Sequence, residues 1–505
     1  MPGKRNQMLS VSLCLVLTLV FFSLGYSQGY LELEKKVVKK VLPNGLTVLV
    51  LERHTAPVVS FVTWADVGAV DEQRGITGMA HLFEHMAFKG TQTVGTKDID
   101  AETVAMNKED ETFEAWLQEY RKGSLADSAR LAELKQAHKE AVEEARKYVV
   151  SNELGEAIEL AGGTGLNAGT GLDLTVYYYN LPSNKAELWM SLESERFLHP
   201  VLREFYTEKD VVMEERRMRI ESQPVGKLIE ELLAAAFKAH PYGVHTLGHM
   251  SDLMTIKRGE AVDFFKTHYT PQNLVIAIVG DVKAADVLEL VDTYWGRIPA
   301  GPASEPLDTV EPSQLGQKRI EVEDRMQPFV AIAYHRPDAL DKDAAVLDAI
   351  TDVLGEGRTC RLYKSLVKEK KIAIQTGAIS SLSLGKYPGL FLFYSFAAQG
   401  HGSDENEEAI YAEIERLKNE PLTAEELTAV KTRAKVNFLR ELDSNSGLAQ
   451  QLAANETLFG DYRKMFRHVD EIEAVTTADI QRVAKEFFSR RNRTVAVIVP
   501  PEEGD

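Results

Sequence analysis

The segment from His81 to His85, with the sequence His-Leu-Phe-Glu-His, constrains this chain more than any other feature. Two histidines four positions apart lie on the same face of an α-helix, one turn from each other. Both imidazoles can therefore bind a single Zn²⁺ ion, each through a ring nitrogen at about 2 Å. Glu84 follows His81 by three positions and lies on the same side. There it can reach a metal-bound water without being a ligand.

The residues around these histidines are apolar on almost every side, which is typical of a buried helix. They are Met79, Ala80, Leu82, Phe83, Met86, Ala87 and Phe88. Buried imidazole and carboxylate groups need polar partners, because an unpaired buried polar group is costly. A metal ion would supply those partners. The alternative is a helix with two hydrogen-bonded histidines and no metal, and the apolar surroundings argue against it.

The stretch from Gly78 to Thr91 resembles the active-site helix of the pitrilysin/insulinase family of zinc peptidases, whose motif is H-x-x-E-H. Within that family it most resembles the branch of the processing peptidases. The likeness continues through Leu166-Asn167-Ala168 and His240-Pro241-Tyr242-Gly243, and it covers most of the chain. The resemblance implies an α+β fold of two homologous lobes, each a mainly antiparallel sheet packed with helices. It also implies that only one lobe is active.

A catalytic zinc site needs a third protein ligand beside two histidines, since the fourth position is kept for water. The resemblance implies a glutamate in this role, with a supporting glutamate seven positions earlier on the same helix. Glu208 and Glu215 have this spacing. We therefore expect Glu215 to bind the metal and Glu208 to support the site as its neighbour. Glu214 is the competing candidate, although it points about 100° away on a helix.

The resemblance further implies a metalloendopeptidase with one Zn²⁺ ion per chain. Glu84 would act as general base on a zinc-bound water and then pass the proton to the leaving amine. Asn167 and Ala168 would hold the backbone of a peptide or unfolded segment, which adds as a strand to a sheet edge. Two other classes stay open. One is a catalytically silent scaffold or peptide-binding subunit, and the other is a metallohydrolase acting on a small molecule.

The first 27 residues have the pattern of a secretion signal. Lys4 and Arg5 precede an apolar run over 9–24, and Gly25-Tyr26-Ser27 offers small residues for cleavage. We expect an exported protein, either periplasmic or secreted. The alternative is an uncleaved anchor that would leave the protein membrane-associated, although the apolar run is short for one.

The rest of the chain divides into two halves that repeat each other. We expect a catalytic lobe over 28–298, a proline-containing linker over 299–317 and a metal-free lobe over 318–505. Seven residues of the first half have counterparts 219 positions further on. Leu253, Ile256, Val262, Asn273, Val275, Ala277 and Val279 correspond to Ile472, Val475, Gln481, Asn492, Thr494, Ala496 and Ile498. The segment equivalent to the metal helix, near 346–354, has no histidine.

Residues from about 98 to 148 form an insertion, because Glu215 follows the motif at a greater distance than the resemblance predicts. Two amphipathic stretches with Gly123 and Ser124 between them predict an antiparallel helical hairpin near the active-site cleft. Two interpretations stay open for this hairpin. It is either a solvated structural appendage or a lid or arm that docks a partner.

One departure from the family pattern bears on partners. Val367 and Ile374 stand where many members carry an arginine and a tyrosine that stabilise the substrate. Neither side chain can donate a hydrogen bond to a developing oxyanion, a contribution usually worth a few kcal/mol. We expect a homologous, metal-free partner subunit to supply the missing pair in a heterodimer, since a homodimer would lack it twice. The net charge of −18 argues against nucleic acid as a partner.

Overall fold

The computed structural model describes residues 32–501, so the predicted signal segment over 1–27 lies outside the described residues. Two sheets, each packed with helices, form a first lobe over 32–298 and a second lobe over 318–501. The predicted α+β fold of two lobes with an inserted helical hairpin is confirmed.

The first sheet contains β1 (Val38–Val41), β2 (Thr47–Glu52), β3 (Val58–Ala65), β4 (Thr164–Thr170), β5 (Thr175–Pro182) and β6 (Leu274–Gly280). The second contains β7 (Lys318–Glu323), β8 (Phe329–Arg336), β9 (Ala373–Ile379), β10 (Gly389–Ala397) and β11 (Arg493–Val499). The helices of the first lobe are α1 (Met79–Met86), α2 (Ile99–Tyr120), α3 (Ser128–Arg146), α4 (Glu153–Leu160), α5 (Ala186–Leu198), α6 (Phe205–Arg216), α7 (Pro224–Ala236), α8 (Met250–Thr255), α9 (Arg258–His268) and α10 (Ala284–Tyr294). The helices of the second lobe are α11 (Ala344–Gly355), α12 (Ser403–Asn419), α13 (Ala424–Glu441), α14 (Asn445–Phe459), α15 (Lys464–Ala474) and α16 (Thr477–Phe487).

The two sheets share one topology over five strands, and β1 is an additional edge strand of the first sheet. The first has the strand order β1-β2-β6-β3-β5-β4, and the second has the order β7-β11-β8-β10-β9. In each sheet one parallel pair, β2 with β6 or β7 with β11, is followed by antiparallel pairs to the other edge. One pair of repeated residues keeps its contact as well. The Asn273 amide donates to the carbonyl of His268 at 2.8 Å, and the Asn492 amide donates to the carbonyl of Phe487 at 2.8 Å.

Each lobe covers one face of the other lobe's sheet with a helix. Helix α7, from the first lobe, packs Leu228, Leu232 and neighbouring residues against apolar side chains of β8, β10 and β11. Helix α14, from the second lobe, packs Leu448, Leu452 and neighbouring residues against β3 and β6. Burying these leucines stabilises the fold by about 1.5–3 kcal/mol for each side chain. The apolar core of either sheet therefore depends on both halves of the chain.

The linker and the insertion are both tied to this framework. Residues 299–317 contain no helix or strand, yet the Glu311 carboxylate accepts hydrogen bonds from the backbone N–H groups of Lys238, Ala239 and His240. Helices α2 and α3 pack against each other as the predicted hairpin. None of the helices within residues 32–501 is long and apolar enough to cross a membrane.

Candidate metal centre

Helix α1 is fixed at its start by a carboxylate and a glycine. Gly78 precedes the helix with φ at 90°, a conformation that glycine adopts without strain. The Glu72 carboxylate accepts hydrogen bonds from the N–H groups of Gly78 and Ala80, both at 2.8 Å. These two bonds satisfy backbone donors that have no partner inside the helix. The orientation of the following turn, which carries His81, is thereby set.

His81, His85 and Glu215 meet where α1 crosses α6. The distance from His81 Nε2 to Glu215 Oε2 is 3.1 Å, and that from His85 Nε2 to the same oxygen is 3.3 Å. One donor atom from each residue lies within 4.8 Å of the other two. Within residues 32–501 this is the one group of three or more histidine, cysteine or acidic side chains close enough to hold a metal ion.

The other nitrogen of each imidazole faces a second glutamate. His81 Nδ1 lies 3.4 Å from Glu84 Oε2, and His85 Nδ1 lies 3.3 Å from Glu208 Oε2. The ammonium group of Lys89 in turn pairs with Glu208 at 2.6 Å and with Glu204 at 2.9 Å. A carboxylate on the rear nitrogen fixes the tautomer and orientation of a metal-binding imidazole. Glu208 is therefore placed to orient His85.

The structure distinguishes Glu215 from its neighbour Glu214. The side chain of Glu214 is 61% exposed and pairs with Arg217, whereas that of Glu215 is 16% exposed and faces both imidazoles. Glu215 Oε1 also pairs with Arg219 at 2.7 Å. Helix α6 continues directly into a short π-helix, Arg217–Glu221, which carries that arginine. The carboxylate that meets the histidines is thus that of Glu215.

The carboxylates of Glu215 and Glu84 favour a positive charge at the position of His81 between them. Burial disfavours the charged imidazole of His81, but the hydrogen bonds and charges of Glu215 and Glu84 prevail and raise the pKa of His81 to about 9. The hydrogen bond with His81 lowers the pKa of Glu215 to about 2, against the effect of burial. Burial opposes ionisation of Glu84 as well, yet contacts with His81 and Thr170 hold its pKa below the ordinary value.

Strand β4 is the edge of the first sheet nearest to this group, and it carries Asn167 and Ala168. The exposed Asn167 side chain turns back onto the strand, where its Oδ1 accepts the N–H of Ala168 at 2.9 Å. Asn167 therefore does not contact the histidines through this oxygen. Thr170, two residues beyond Ala168 and on the same face of the strand, donates its hydroxyl to Glu84 Oε2 at 2.6 Å.

Sequence reasoning missed three residues at this site, namely Thr170, Glu72 and Lys89. Thr170 had a local signal, because strand alternation places it on the same face as Ala168. Lys89 had one too, since it follows His85 by one helical turn. Glu72 had none, because its role depends on how the loop before α1 folds back onto the helix start.

The inserted hairpin contacts α6 through an aromatic ring and contacts the segments around it through buried ion pairs. The guanidinium of Arg203 pairs with Glu102 at 2.9 Å with both side chains buried, and Arg258 pairs with the buried Glu109. The ammonium of Lys209 lies 3.8 Å from the centre of the Phe113 ring. The hairpin base thus contacts the segment that carries Glu208 and Glu215. The turn at its far end is exposed, including Leu125.

A duplicated α+β fold with two imidazoles and a carboxylate gathered on one lobe points to the class of two-lobed peptidases. The comparison with family models agrees. The model described as Insulinase (Peptidase family M16) matches residues 47–116 and 140–249, and that described as Peptidase M16 inactive domain matches residues 255–434. The chain belongs to the M16 family of peptidases.

Named relatives and solved structures extend the likeness over nearly the whole chain. The zinc protease PqqE of Helicobacter pylori is 26% identical over 490 residues, which cover 94% of this chain and 95% of the relative. The mitochondrial-processing peptidase subunit beta of Blastocladiella emersonii is 23% identical over 494 residues, which cover 95% of this chain and 92% of the relative. The crystal structure of a protease from Helicobacter pylori matches with a TM-score of 0.77 at 25% identity, covering 92% of this chain and 100% of that one. A structure titled peptidase M16 inactive domain from Pseudomonas fluorescens, at 18% identity and a TM-score of 0.72, covers 92% of this chain and 98% of that one and shows the shared fold alone.

Proposed function

We propose that this protein is a zinc-dependent endopeptidase that hydrolyses peptides or unfolded polypeptide segments. The observation that carries the proposal is the convergence of His81, His85 and Glu215 beside the carboxylate of Glu84. Two imidazoles and one carboxylate from two helices are a donor set typical of catalytic zinc, which keeps one position open. The names of relatives as zinc proteases support the choice of metal.

The side chains present fit such an ion. His81, His85 and Glu215 would hold it, and the surrounding acids favour positive charge at this place. Bound there, zinc would acidify a water molecule and polarise the scissile carbonyl. Glu84 would accept the proton of the attacking water and deliver it to the leaving amine. Glu208, itself fixed by Lys89, would keep the ring of His85 in its binding orientation.

The free edge of β4 is the proposed site for the substrate backbone. A peptide that adds there as a strand would pair with the main chain near Ala168. The N–H of Ala168 is held by the Asn167 side chain, so a substrate carbonyl would replace that contact as it binds. The side chain of Asn167 would then be released to contact the peptide. In this proposal both residues bind the substrate.

We further propose that the active form pairs with a homologous, metal-free subunit, as in the processing-peptidase branch. Val367 packs partly against the core of the second lobe, and Ile374 is exposed on β9. Both are aliphatic, so neither donates a side-chain hydrogen bond to substrate. Full activity of the purified chain alone would remove the reason for this partner. Export to the periplasm or the outside, directed by residues 1–27, is also part of the proposal.

The test is metal analysis combined with cleavage of a quenched fluorescent peptide, on protein purified from its native host so that any partner subunit is retained. The purified protein should contain about one zinc per chain and lose activity with a chelator. Glu84→Gln should lower kcat by about 10²–10⁴-fold, because it removes the general base, and should keep its zinc. Normal cleavage by this variant, or activity that resists the chelator, would overturn the mechanism. Bound zinc without cleavage of any peptide would favour a silent peptide-binding subunit instead.

A further inference from the structure

The carboxylate of Glu84 is held by a hydroxyl from another element of the fold. Thr170 Oγ1 donates to Glu84 Oε2 at 2.6 Å, and His81 Nδ1 lies 3.4 Å from the same oxygen. Within residues 32–501 both of these contacts use Oε2. A hydroxyl bonded to an ionised carboxylate makes one of the stronger hydrogen bonds found in proteins.

A hydroxyl suits a carboxylate that gains and loses a proton. Toward the ionised carboxylate of Glu84, the Thr170 hydroxyl is a donor. Once the carboxyl is protonated, the same hydroxyl can turn and accept, because it carries lone pairs as well as a proton. An ammonium or guanidinium group can only donate, so it would oppose protonation. Threonine or serine at position 170 can therefore hold Glu84 in both states of a general base.

Thr170 is itself rigidly placed at the end of β4. It lies opposite Thr175 on β5, and the Thr175 hydroxyl donates to the carbonyl of Val67 at 2.9 Å. The turn that follows contains Asp173, which accepts the buried hydroxyl of Tyr242. The same carboxylate accepts the backbone N–H groups of Gly385 at 3.2 Å and Lys386 at 3.4 Å, both from the second lobe. The second lobe thus anchors the strand end that carries Thr170.

We propose that Thr170 is the positioning residue for Glu84. The inference rests on the proposed function. Thr170 does not contact the substrate or the metal in this scheme. It acts through Glu84.

The experiment compares Thr170→Val with Thr170→Ser in the full-length protein. Valine has the shape of threonine without the hydroxyl, so kcat should fall by about 10–100-fold, part of the range for general-base catalysis, with KM within about twofold. Serine keeps the hydroxyl and should return kcat to within about threefold of the parent. Zinc content should stay the same in both variants.

Thr63→Val is the matched control. The Thr63 hydroxyl donates to Glu193 at 2.7 Å, so this variant removes a buried threonine–glutamate hydrogen bond from the same lobe but away from Glu84. It should unfold at lower urea concentration and keep its kcat. The inference is overturned if Thr170→Val keeps its kcat, if Thr170→Ser is as slow as Thr170→Val, or if Thr170→Val loses its zinc.

A second measurement separates this inference from the proposed function. If the parent protein, purified together with any partner subunit, cleaves no peptide, the proposed function fails, but the contact between Thr170 and Glu84 remains testable by urea unfolding. Thr170→Val, Glu84→Ala and the double variant form a cycle that isolates the pairwise interaction. The contact is supported if the midpoint shifts of the two single variants do not sum to the shift of the double variant. The contact is overturned if the two single shifts sum to the double shift.

Discussion

The two lobes share a fold but differ in the few side chains that face one another between equivalent helices. In the first lobe α1 presents His81 and His85 to Glu215 on α6. In the second lobe α11 faces α13, whose start lies 219 positions after the start of α6. The residue at the position equivalent to Glu215 is Ala434, and the one equivalent to Glu208 is Leu427. Both pack against the apolar core of their lobe.

This difference teaches that the scaffold and the chemistry are separable. Helix α11 presents Asp348 and Asp352 instead of histidines, and these acids are engaged by Ser380 and Arg433. The second lobe therefore keeps the strand order, the helix crossing and the asparagine contact of the repeat without a donor set for zinc. Its contribution is mechanical, since it anchors Asp173 through Gly385 and covers the first sheet with α14.

The largest effect is expected from changing the side chain that distinguishes α6 from α13. Glu215→Ala installs the residue of the second lobe, and it should abolish zinc binding and lower activity more than any other single change outside Glu84. Glu214→Ala, at an exposed neighbouring position, should leave both within about twofold because exposed substitutions are usually mild. Zinc analysis by mass spectrometry and the peptide assay measure the two properties. Retained zinc in Glu215→Ala would erase the proposed distinction between the lobes.

A smaller effect tests whether the lobes unfold together. Leu232→Ala in α7 and Leu452→Ala in α14 each remove a fully buried side chain from the helix that covers the other lobe's sheet. Each should lower the free energy of unfolding by about 2–5 kcal/mol. All four tryptophans, at positions 64, 116, 189 and 295, lie in the first lobe, so their fluorescence reports that lobe while circular dichroism reports both. We expect the two signals to shift together in both variants. Separate transitions would show that each lobe is an independent folding unit.

The smallest effect concerns pH. His81 must lose its proton to bind metal, and the neighbouring acids raise its pKa to about 9. Below that pH zinc binding should release a proton from His81, so affinity should rise by up to about tenfold per pH unit from pH 7 toward 9 and then level off. Isothermal titration in buffers of different ionisation enthalpy measures the proton release. Affinity that is flat over this range would contradict the assigned electrostatics.

Local patterns carried much of what the sequence could predict. The motif on α1 and the seven-residue spacing of Glu208 and Glu215 each lie within one helix, where periodicity fixes which side chains share a face. The 219-residue repeat was visible because its members are mostly buried, and burial constrains residue type. The family resemblance that these features carry implied the fold class and the side chains expected at the site.

Long-range contacts account for what the sequence did not predict. Helices α7 and α14 each pack on the sheet of the other lobe. The apolar pattern of a helix predicts which face is buried but not which sheet it packs against. The contact of Thr170 with Glu84 joins residues 86 positions apart. The Asn167 side chain bonds to the backbone of its own strand in the structure, and the sequence alone does not predict whether it does so or points toward a substrate.

The helix exchange also determines what a break in the linker would do. Residues 299–317 join the halves covalently, but α7 and α14 interlock them through apolar surfaces that neither half can cover alone. A single proteolytic nick between 299 and 317 would sever the backbone without parting the molecule. The two fragments should co-elute as one particle, and separately expressed halves should recover their native partners on mixing.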